Sequence, residues 1–331
     1  MPPRVTAIHP LCAIEGGRIT IDGTGFAVDG PSLPDVRVGE LAARLVYASS
    51  MRLSAIVPPG LERGRTPVRV EGVSDETWWS VDIAAPLATG LHQVDNPIFD
   101  RQDNLYVTYS GTRGQQVPVS IFRVRPNGTR EPFSSGIVNP TSMAIDQQDR
   151  LYVSSRFEGA VYRVSSDGTS ELFAHHLGVA CGLAFSSDGT LFVGDRSGTI
   201  FKVDQSGRVE NFASLPASVA AFHLAFGPDQ ALYVSGPTLA SYDELYRIAP
   251  DGTVTTEPAR FGRPQGLAFD RDGSLFVVEA LAGVSGLYRV PSSGPPELVL
   301  AGPGLVGVAF DAAGTMVVAS NDTAYRLTRS V

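Results

Sequence analysis

The stretch Cys181–Ala213 reads CGLAFSSDGTLFVGDRSGTIFKVDQSGRVENFA and decides the fold. Short runs of β-forming residues predict four strands in it, namely Gly182–Phe185, Leu191–Gly194, Thr199–Val203 and Val209–Phe212. Asp188-Gly189 and Ser206-Gly207 predict tight turns, because glycine adopts the positive φ that a hairpin needs. A four-stranded meander cannot bury both of its faces alone, so the stretch requires copies of itself on either side.

Copies of this stretch recur through the rest of the chain. The first predicted strand of each copy ends at Phe99, Ile145, Phe185, Phe226, Phe269 and Phe310. The spacings between these positions are 46, 40, 41, 43 and 41 residues, so six copies repeat with a period of about 42. This pattern predicts an all-β fold in which residues 85–331 form a six-bladed β-propeller.

The sixth copy predicts how the ring closes. It contains three strands, Gly307–Phe310, Met316–Val318 and Ala324–Leu327, and then ends. Ala85–Thr89, just before the first copy, has the place that Glu297–Leu300 has in the fifth copy. We therefore expect the N-terminal side to supply the outermost strand of the last blade, which would remove an open sheet edge.

Residues 1–84 predict a small Ig-like β-sandwich that precedes the propeller. Seven short strands are predicted there, namely Arg4–Ile8, Arg18–Asp22, Val36–Val38, Arg44–Ser49, Leu53–Val57, Pro67–Glu71 and Trp79–Ile83. The landmarks Gly23-Thr24-Gly25-Phe26 and Val57-Pro58-Pro59 resemble those of an IPT/TIG domain. The resemblance implies an immunoglobulin-like fold of a kind that usually acts as a spacer or an interaction module.

The repeat carries a second family resemblance. Gly182-Leu183-Ala184-Phe185 followed by Asp188-Gly189, and Gly266-Leu267-Ala268-Phe269 followed by Asp272-Gly273, resemble NHL-type propellers and the related SMP-30/gluconolactonase-like group. The resemblance implies the propeller fold. It leaves the function open, because this scaffold hosts binding proteins, lactonases and lyases alike.

The spacing between strands differs between the two faces of the predicted disc. Six residues separate the end of strand one from the start of strand two in every copy, and we call the face with these hairpins the constant face. On the opposite, variable face the connections from strand two to strand three span 17 residues from Leu105 to Phe122 but only 9 from Met316 to Tyr325. Variable loops on a rigid scaffold tend to carry binding residues, so we expect the site at the mouth of the channel on this face.

The starts of strand one and the residues after strand two are expected to ring this mouth. The candidate binding residues are Asp95, Tyr109, Thr141, Cys181, Asp195, Phe222, Gln265 and Glu279. Three of them, Asp95, Asp195 and Glu279, are carboxylates that could hold Ca²⁺ or another divalent cation through oxygen ligands. Such an ion could act as a Lewis acid on a lactone carbonyl.

The resemblance matches the metal sites of these enzymes only in part. The SMP-30-like enzymes hold their metal with a Glu, an Asn and an Asp, and Asp95 stands where the Glu would be, while Thr141 and Cys181 follow at later positions. Streptogramin-lyase-type propellers place a Glu where Glu279 stands, but Gln265 stands where a histidine is expected. We therefore expect a binding protein for a small molecule, glycan or peptide. The alternative is a metal-dependent lactone hydrolase or a streptogramin-lyase-like enzyme with a degenerate site.

Composition narrows the partners and the compartment. A net charge of −8 argues against a nucleic-acid backbone or an anionic membrane surface as partner, and no apolar run approaches the roughly 20 residues of a membrane span. The start MPPRVTAIHP lacks a signal-peptide pattern, so we expect a cytoplasmic protein if Met1 is native, and a secreted or cell-surface protein if a leader was removed. No cofactor is required by the sequence beyond the possible divalent cation, and the oligomeric state stays open.

Overall fold

The structure, a computed structural model, describes residues 2–73 and 79–327, and this part of the chain contains β-strands and no helix. The first nine strands are β1 (Arg4–His9), β2 (Cys12–Ala13), β3 (Arg18–Thr24), β4 (Val36–Val38), β5 (Leu41–Ala42), β6 (Arg44–Ala48), β7 (Arg52–Ile56), β8 (Gly64–Val70) and β9 (Ser80–Ile83). The next twelve are β10 (Ala85–Ala88), β11 (Ile98–Phe99), β12 (Leu105–Thr108), β13 (Ile121–Val124), β14 (Arg130–Ser134), β15 (Pro140–Ile145), β16 (Leu151–Ser155), β17 (Ala160–Val164), β18 (Ser170–Ala174), β19 (Ala180–Phe185), β20 (Leu191–Asp195) and β21 (Thr199–Val203). The last twelve are β22 (Val209–Ser214), β23 (His223–Phe226), β24 (Leu232–Ser235), β25 (Asp243–Ile248), β26 (Val254–Phe261), β27 (Pro264–Phe269), β28 (Leu275–Glu279), β29 (Gly286–Val290), β30 (Glu297–Ala301), β31 (Leu305–Phe310), β32 (Met316–Ser320) and β33 (Ala324–Arg326).

The N-terminal strands form a sandwich with a compact apolar core. One sheet has the order β1-β3-β7-β6, and the opposing strands are β2, β9, β8, β4 and β5. Ile19, Ile21 and Leu53 are fully buried between them, as the alternation of the sequence predicts. Phe26 closes one end of this core, and Gly23 is required beside it because a Cβ at Gly23 would lie 2.4 Å from the phenyl ring.

The remaining strands form six four-stranded antiparallel units, which we number blades 1 to 6. Blades 1 to 5 are β11–β14, β15–β18, β19–β22, β23–β26 and β27–β30, and blade 6 consists of β31, β32, β33 and β10. In blade 6, Ala85 pairs with Arg326 and Ala88 with Ala324, so the outer strand comes from the N-terminal side, as the sequence predicts. Each inner strand lies against the inner strand of the next blade, and β31 of blade 6 lies against β11 of blade 1.

Aromatic rings join neighbouring blades on the constant face. Tyr152 of blade 2 packs edge-on against Phe173 of its own blade and Phe185 of blade 3, with ring centroids 5.0 Å and 4.9 Å apart. Phe192 repeats the arrangement with Phe226 of blade 4, at 5.2 Å. Edge-to-face pairs of this kind are worth roughly 0.5–1.5 kcal/mol beyond the area they bury. This packing explains why strand one so often ends in an aromatic residue.

Charged side chains on the constant face form a repeated set of partners. In blade 2 the Asp146 carboxylate accepts the backbone N–H groups of Gln148 and Arg150, both at 2.9 Å, and so closes the turn between strands one and two. In blade 4 the Arg247 guanidinium donates twice to Asp229, at 2.8 Å and 2.6 Å. These contacts hold the hairpins of this face in one geometry.

The sandwich and the propeller share one sheet. Strand β2 pairs in parallel with β30 of blade 5 on one side and with β9 of the sandwich on the other, which yields a nine-stranded sheet. Cys12 lies opposite Leu300, and the Ile14 N–H donates to the Ala301 carbonyl at 3.0 Å. A Cβ at Gly17 would lie 2.3 Å from that carbonyl oxygen, so the close approach depends on glycine. The outer edge of blade 5 is thereby covered.

Within the described part of the chain, no helix has the length and apolar character that crossing a membrane requires.

Candidate functional site

The strands that begin at the variable face differ in register, and the difference decides which side chains reach the channel. Strands β15, β19 and β27 each have a register shift near their start, between Pro140 and Met143 in the case of β15. Strand β23 pairs regularly from its first residue, His223. Phe222 therefore precedes the strand and is fully buried between blades 3 and 4. The alignment of the copies predicts Phe222 at the mouth of the channel, and the structure does not place it there.

An acid–base pair spans the channel. Asp95 of blade 1 and His223 of the opposite blade 4 are both buried, and His223 Nδ1 lies 2.6 Å from Asp95 Oδ1. The same carboxylate oxygen accepts the Asn96 N–H at 2.7 Å. His223 Nε2 is buried and has no hydrogen-bond partner among the described residues. The sequence predicts Asp95 at the channel, but it does not predict that a histidine would meet it from across the ring.

Asn96 ties blade 1 to blades 5 and 6. Its Nδ2 donates to the Leu267 carbonyl at 2.8 Å, and its Oδ1 accepts the Val308 N–H at 2.9 Å. Gly266 and Gly307 leave room for this side chain, because a Cβ at Gly266 would lie 2.2 Å from Asn96 Oδ1. Asp95 lines a cavity of about 370 Å³ that enters the channel from the constant face.

The two carboxylates after strand two bind backbone amides. Glu279 accepts the N–H groups of Gly262, Arg263 and Leu281, at 2.5, 2.8 and 2.7 Å. Asp195 accepts those of Val179 at 2.8 Å and Ser197 at 3.3 Å, and also the Ser197 hydroxyl. Both side chains are buried, and each fastens its own loop to the connection that enters the blade.

The structure does not bring the three predicted metal ligands together. Within residues 2–73 and 79–327, no group of three or more His, Cys, Asp or Glu side chains is placed to hold a metal ion. Asp95 is hydrogen-bonded to His223, and Asp195 and Glu279 accept hydrogen bonds from backbone N–H groups. The residues present therefore do not fit the divalent cation that the sequence suggests, because the three carboxylates have separate partners, a histidine for Asp95 and backbone amides for Asp195 and Glu279.

The remaining predicted binding residues differ in their exposure to solvent. Thr141 is fully buried, and its hydroxyl donates to the Asn139 carbonyl at 3.0 Å. Tyr109 is partly exposed, and its ring meets His92 edge-on at 6.2 Å. Cys181 lies at the mouth with its Sγ 3.2 Å from the Val179 carbonyl oxygen. Burial raises the pKa of its thiol to about 12, so this cysteine is not a ready nucleophile.

A cavity of about 280 Å³ opens at the variable face, and we call it the mouth pocket. Its lining residues come from all six blades and their connections: His92, Gln93, Val94, Arg156, Val179, Cys181, Arg196, Ala220, Ala221, Gln265, Val306 and Asn321. Two of the eight predicted binding residues, Cys181 and Gln265, are among them. Since Val94 lines this pocket and Asp95 lines the cavity on the other side, the Asp95–His223 pair lies between the two.

Two arginines of the mouth pocket escaped the sequence analysis. Arg156 directly follows Ser155 at the end of β16, and Arg196 directly follows Asp195 at the end of β20, so they occupy equivalent positions in adjacent blades. Burial lowers the pKa of Arg156, and the positive charge of Arg196 lowers it further. Burial and the charge of Arg156 also lower the pKa of His92. A cation immediately after strand two in two successive copies is the signal that could have revealed them.

The sandwich has a larger open groove, but its charges are already paired. The groove has a volume of about 460 Å³ and includes Asp35, Arg37 and Arg69 in its lining. Arg37 Nε lies 2.9 Å from Asp35, and Arg69 lies 3.0 Å from Glu40. Arg156 and Arg196 of the mouth pocket have no such partners among residues 2–73 and 79–327, so the mouth pocket is the better candidate site.

Comparison with protein families supports the two-part fold. The model of the IPT/TIG domain matches residues 3–83, which cover the sandwich. No curated protein matches the chain.

Solved structures that resemble the chain include both binding proteins and enzymes. An auxiliary nutrient binding protein from Bacteroides thetaiotaomicron is 12% identical, with 98% of this chain and 97% of that chain covered and a TM-score of 0.57. A gluconolactonase from Xanthomonas campestris is 20% identical, with 73% and 91% covered and a TM-score of 0.58. Virginiamycin B lyase from Staphylococcus aureus is 12% identical, with 75% and 87% covered and a TM-score of 0.52. At these identities the likeness concerns the fold, which is all-β with an IPT/TIG domain and a propeller of this type.

Proposed function

We propose that the protein is a binding protein that takes a small molecule or a glycan into the mouth pocket of its propeller. The observation that supports the proposal is that the carboxylates predicted as metal ligands already have partners within the protein. Glu279 and Asp195 accept backbone N–H groups, and Asp95 is paired with His223 inside the channel. The carboxylates of Glu279 and Asp195, held in this way, stabilise their loops, and most of their lone pairs are already in use.

The shape and lining of the mouth pocket also support binding. At about 280 Å³ it is of the size that takes a small organic molecule, and its loops belong to the face whose lengths vary between blades. Val94, Ala221 and Val306 supply apolar wall, and Gln265 is a half-exposed amide. Some proteins of similar fold bind nutrients, as the auxiliary nutrient binding protein does by name, and this chain resembles it over both domains.

The enzymatic alternative has one feature in its favour. The Asp95–His223 pair resembles the base and its orienting acid in hydrolases, because Asp95 fixes the imidazole and leaves Nε2 without a partner. However, His223 is fully buried and lines neither the mouth pocket nor the cavity of the constant face. A substrate in either cavity has no direct path to Nε2, so we rank hydrolase or lyase activity second.

The test is a ligand screen that compares the wild type with a variant in which the mouth pocket is filled. Thermal shift is measured for a panel of mono- and disaccharides, sugar acids and small metabolites with the wild type and with Ala221→Trp, which fills the mouth pocket. Ala313→Trp, at an exposed turn on the constant face, is the matched control. We expect ligands that stabilise the wild type and the control to have no effect on Ala221→Trp. Stabilisation that survives in Ala221→Trp, or turnover of a lactone that requires Ca²⁺, would contradict the proposal.

A further inference from the structure

Two guanidinium groups at the mouth pocket, those of Arg156 and Arg196, lack the carboxylate partners that several other arginines of the protein have. Within the described residues, no ion pair or side-chain hydrogen bond joins Arg156 or Arg196 to a neighbour. Arg247 and Arg150, by contrast, each have a carboxylate within 2.6 Å. Asp195, the acid next to Arg196 in sequence, does not change this, because it accepts hydrogen bonds from the backbone of its own loop.

The loops that carry the two arginines are held in place. Ser155 donates its hydroxyl to the Val138 carbonyl at 2.5 Å and accepts the Glu158 N–H at 3.2 Å. Asp195 fastens the equivalent loop of blade 3. The backbone that precedes each guanidinium is therefore fixed by buried polar contacts, and the two side chains project from adjacent blades into one cavity.

Like charges that converge in this way are unfavourable without a counterion. Arg156 is half-buried, and the pKa of the Arg156 guanidinium is lowered by burial and by Arg196. The effect extends to His92, whose pKa is lowered by burial and by Arg156. The chain as a whole carries a net charge of −8, so the cationic character of this pocket is local. An anion at this point would offset the repulsion and accept hydrogen bonds from both groups.

We infer that Arg156 and Arg196 together bind the anionic group of a small organic acid, a carboxylate or a phosphate ester, in the mouth pocket. Guanidinium groups match both anions through paired N–H donors. The apolar wall of Val94, Ala221 and Val306 suits the carbon skeleton of such a ligand. The inference rests on the proposed function and narrows it to ligands that carry a negative charge.

The experiment compares pairs of sugars in which one member carries an anionic group and the other does not. Calorimetric titrations at low ionic strength use D-galacturonate against D-galactose, and glucose 6-phosphate against glucose, because salt screens such contacts. The proteins are the wild type, Arg156→Met, Arg196→Met and Arg271→Met. Arg271 is exposed on the constant face, so its variant removes the same charge at a remote place.

We expect at least one anionic probe to bind the wild type and Arg271→Met at least about tenfold more tightly than its neutral partner. Arg156→Met and Arg196→Met should each lose about tenfold or more of that affinity. The pair that shows the difference tells whether the carboxylate or the phosphate is preferred. As a second readout, an NMR titration of His92 should report a pKa that rises when the anion is bound, because the anion offsets the charge of Arg156.

Three results would overturn the inference. They are equal binding of charged and neutral probes, anion binding that survives in both arginine variants, and no binding of either anion at millimolar concentration. The first of these, combined with loss of binding in Ala221→Trp, would leave the proposed function standing while the charge preference fails. Ligand-induced stabilisation that survives in Ala221→Trp would instead remove the proposed function itself.

Discussion

The constant and variable faces of the propeller use charged residues in opposite ways. On the constant face acids and bases meet each other, as in the Arg247–Asp229 and Arg150–Asp146 pairs. On the variable face the acids Asp195 and Glu279 are buried against backbone amides. The cations Arg156 and Arg196 have no ion-pair partner in the part of the chain that the structure describes. On the variable loops an acid can therefore stabilise the fold while the neighbouring cation is available to a ligand. Each face can therefore be tested by removing one charge at a time.

The largest effect is expected from Glu279→Ala. The substitution leaves the N–H groups of Gly262, Arg263 and Leu281 without their acceptor in a buried place, and each such loss costs about 1–3 kcal/mol. We expect the free energy of unfolding, measured with urea, to fall by about 4 kcal/mol. Glu62→Ala, at an exposed glutamate of the sandwich, should change it by less than about 0.5 kcal/mol.

If Glu279 were a metal ligand, the stability of Glu279→Ala would depend on calcium in a different way. If the side chain held Ca²⁺, the wild type would be stabilised by the ion and Glu279→Ala would lose only that increment. Unfolding of both proteins with calcium and with chelator separates the two. A wild type whose stability depends on calcium would contradict the architectural role.

Gly266→Ala tests whether the blades are held together across the channel by Asn96. The new Cβ would lie 2.2 Å from Asn96 Oδ1, so the side chain must move and give up its bonds to Leu267 and Val308. We expect a loss of about 2 kcal/mol in urea unfolding. Gly30→Ala is the control, because the nearest atom to its new Cβ is 3.8 Å away. Equal stability of the two variants would show that Asn96 does not link the blades.

The sequence predicts the repeat well because its signals are local. Strand ends, turn glycines and the outer strand at Ala85–Ala88 follow from a period that recurs six times, and the strands lie within a few residues of the predicted ranges. The position of Phe222 does not follow, because β23 lacks the register shift that its counterparts have. An alignment of the copies assumes equal registers, and one missing bulge moves a side chain from the channel to the core.

The roles of the charged residues were harder to predict for a physical reason. Whether a carboxylate such as Glu279 faces a ligand or a backbone amide depends on where the connection that enters the blade lies relative to it. This position is a property of the tertiary structure and cannot be read from the local sequence. The pairing of Asp95 with His223 joins residues 128 apart from opposite blades. Arg156 and Arg196 follow strand two in successive copies, but the sequence does not show that their side chains line one pocket. The fold thus follows from residue types that recur in every copy, and the candidate site consists of residues that only some copies have.

Arginine truncation compares the two faces directly. Arg247→Met removes two hydrogen bonds to Asp229 and is expected to cost about 0.5–1 kcal/mol, because the pair is partly exposed. Arg196→Met removes a charge that repels Arg156 and should cost nothing or stabilise the protein slightly. The measurement is urea unfolding of both variants without added anions. A loss of stability in Arg196→Met as large as in Arg247→Met would mean that Arg196 has a structural partner.

The smallest effect concerns the pH dependence of a constant-face turn. Hydrogen bonds from Ser186, at 2.6 Å, and from Thr190, at 3.0 Å, lower the pKa of Asp188 below its ordinary value of 3.8. The unfolded chain then binds the proton more readily, so the carboxylate stabilises the fold above about pH 4 and loses this contribution as the pH falls through its native pKa. Since Asp188 is exposed, we expect Asp188→Asn to be less stable than the wild type by under about 1 kcal/mol at pH 6, with the difference shrinking towards pH 2. Thermal unfolding across this range, with the exposed Asp29→Asn as control, checks the sign. A difference that grows on acidification would contradict the assignment of Asp188 as an acceptor for the turn.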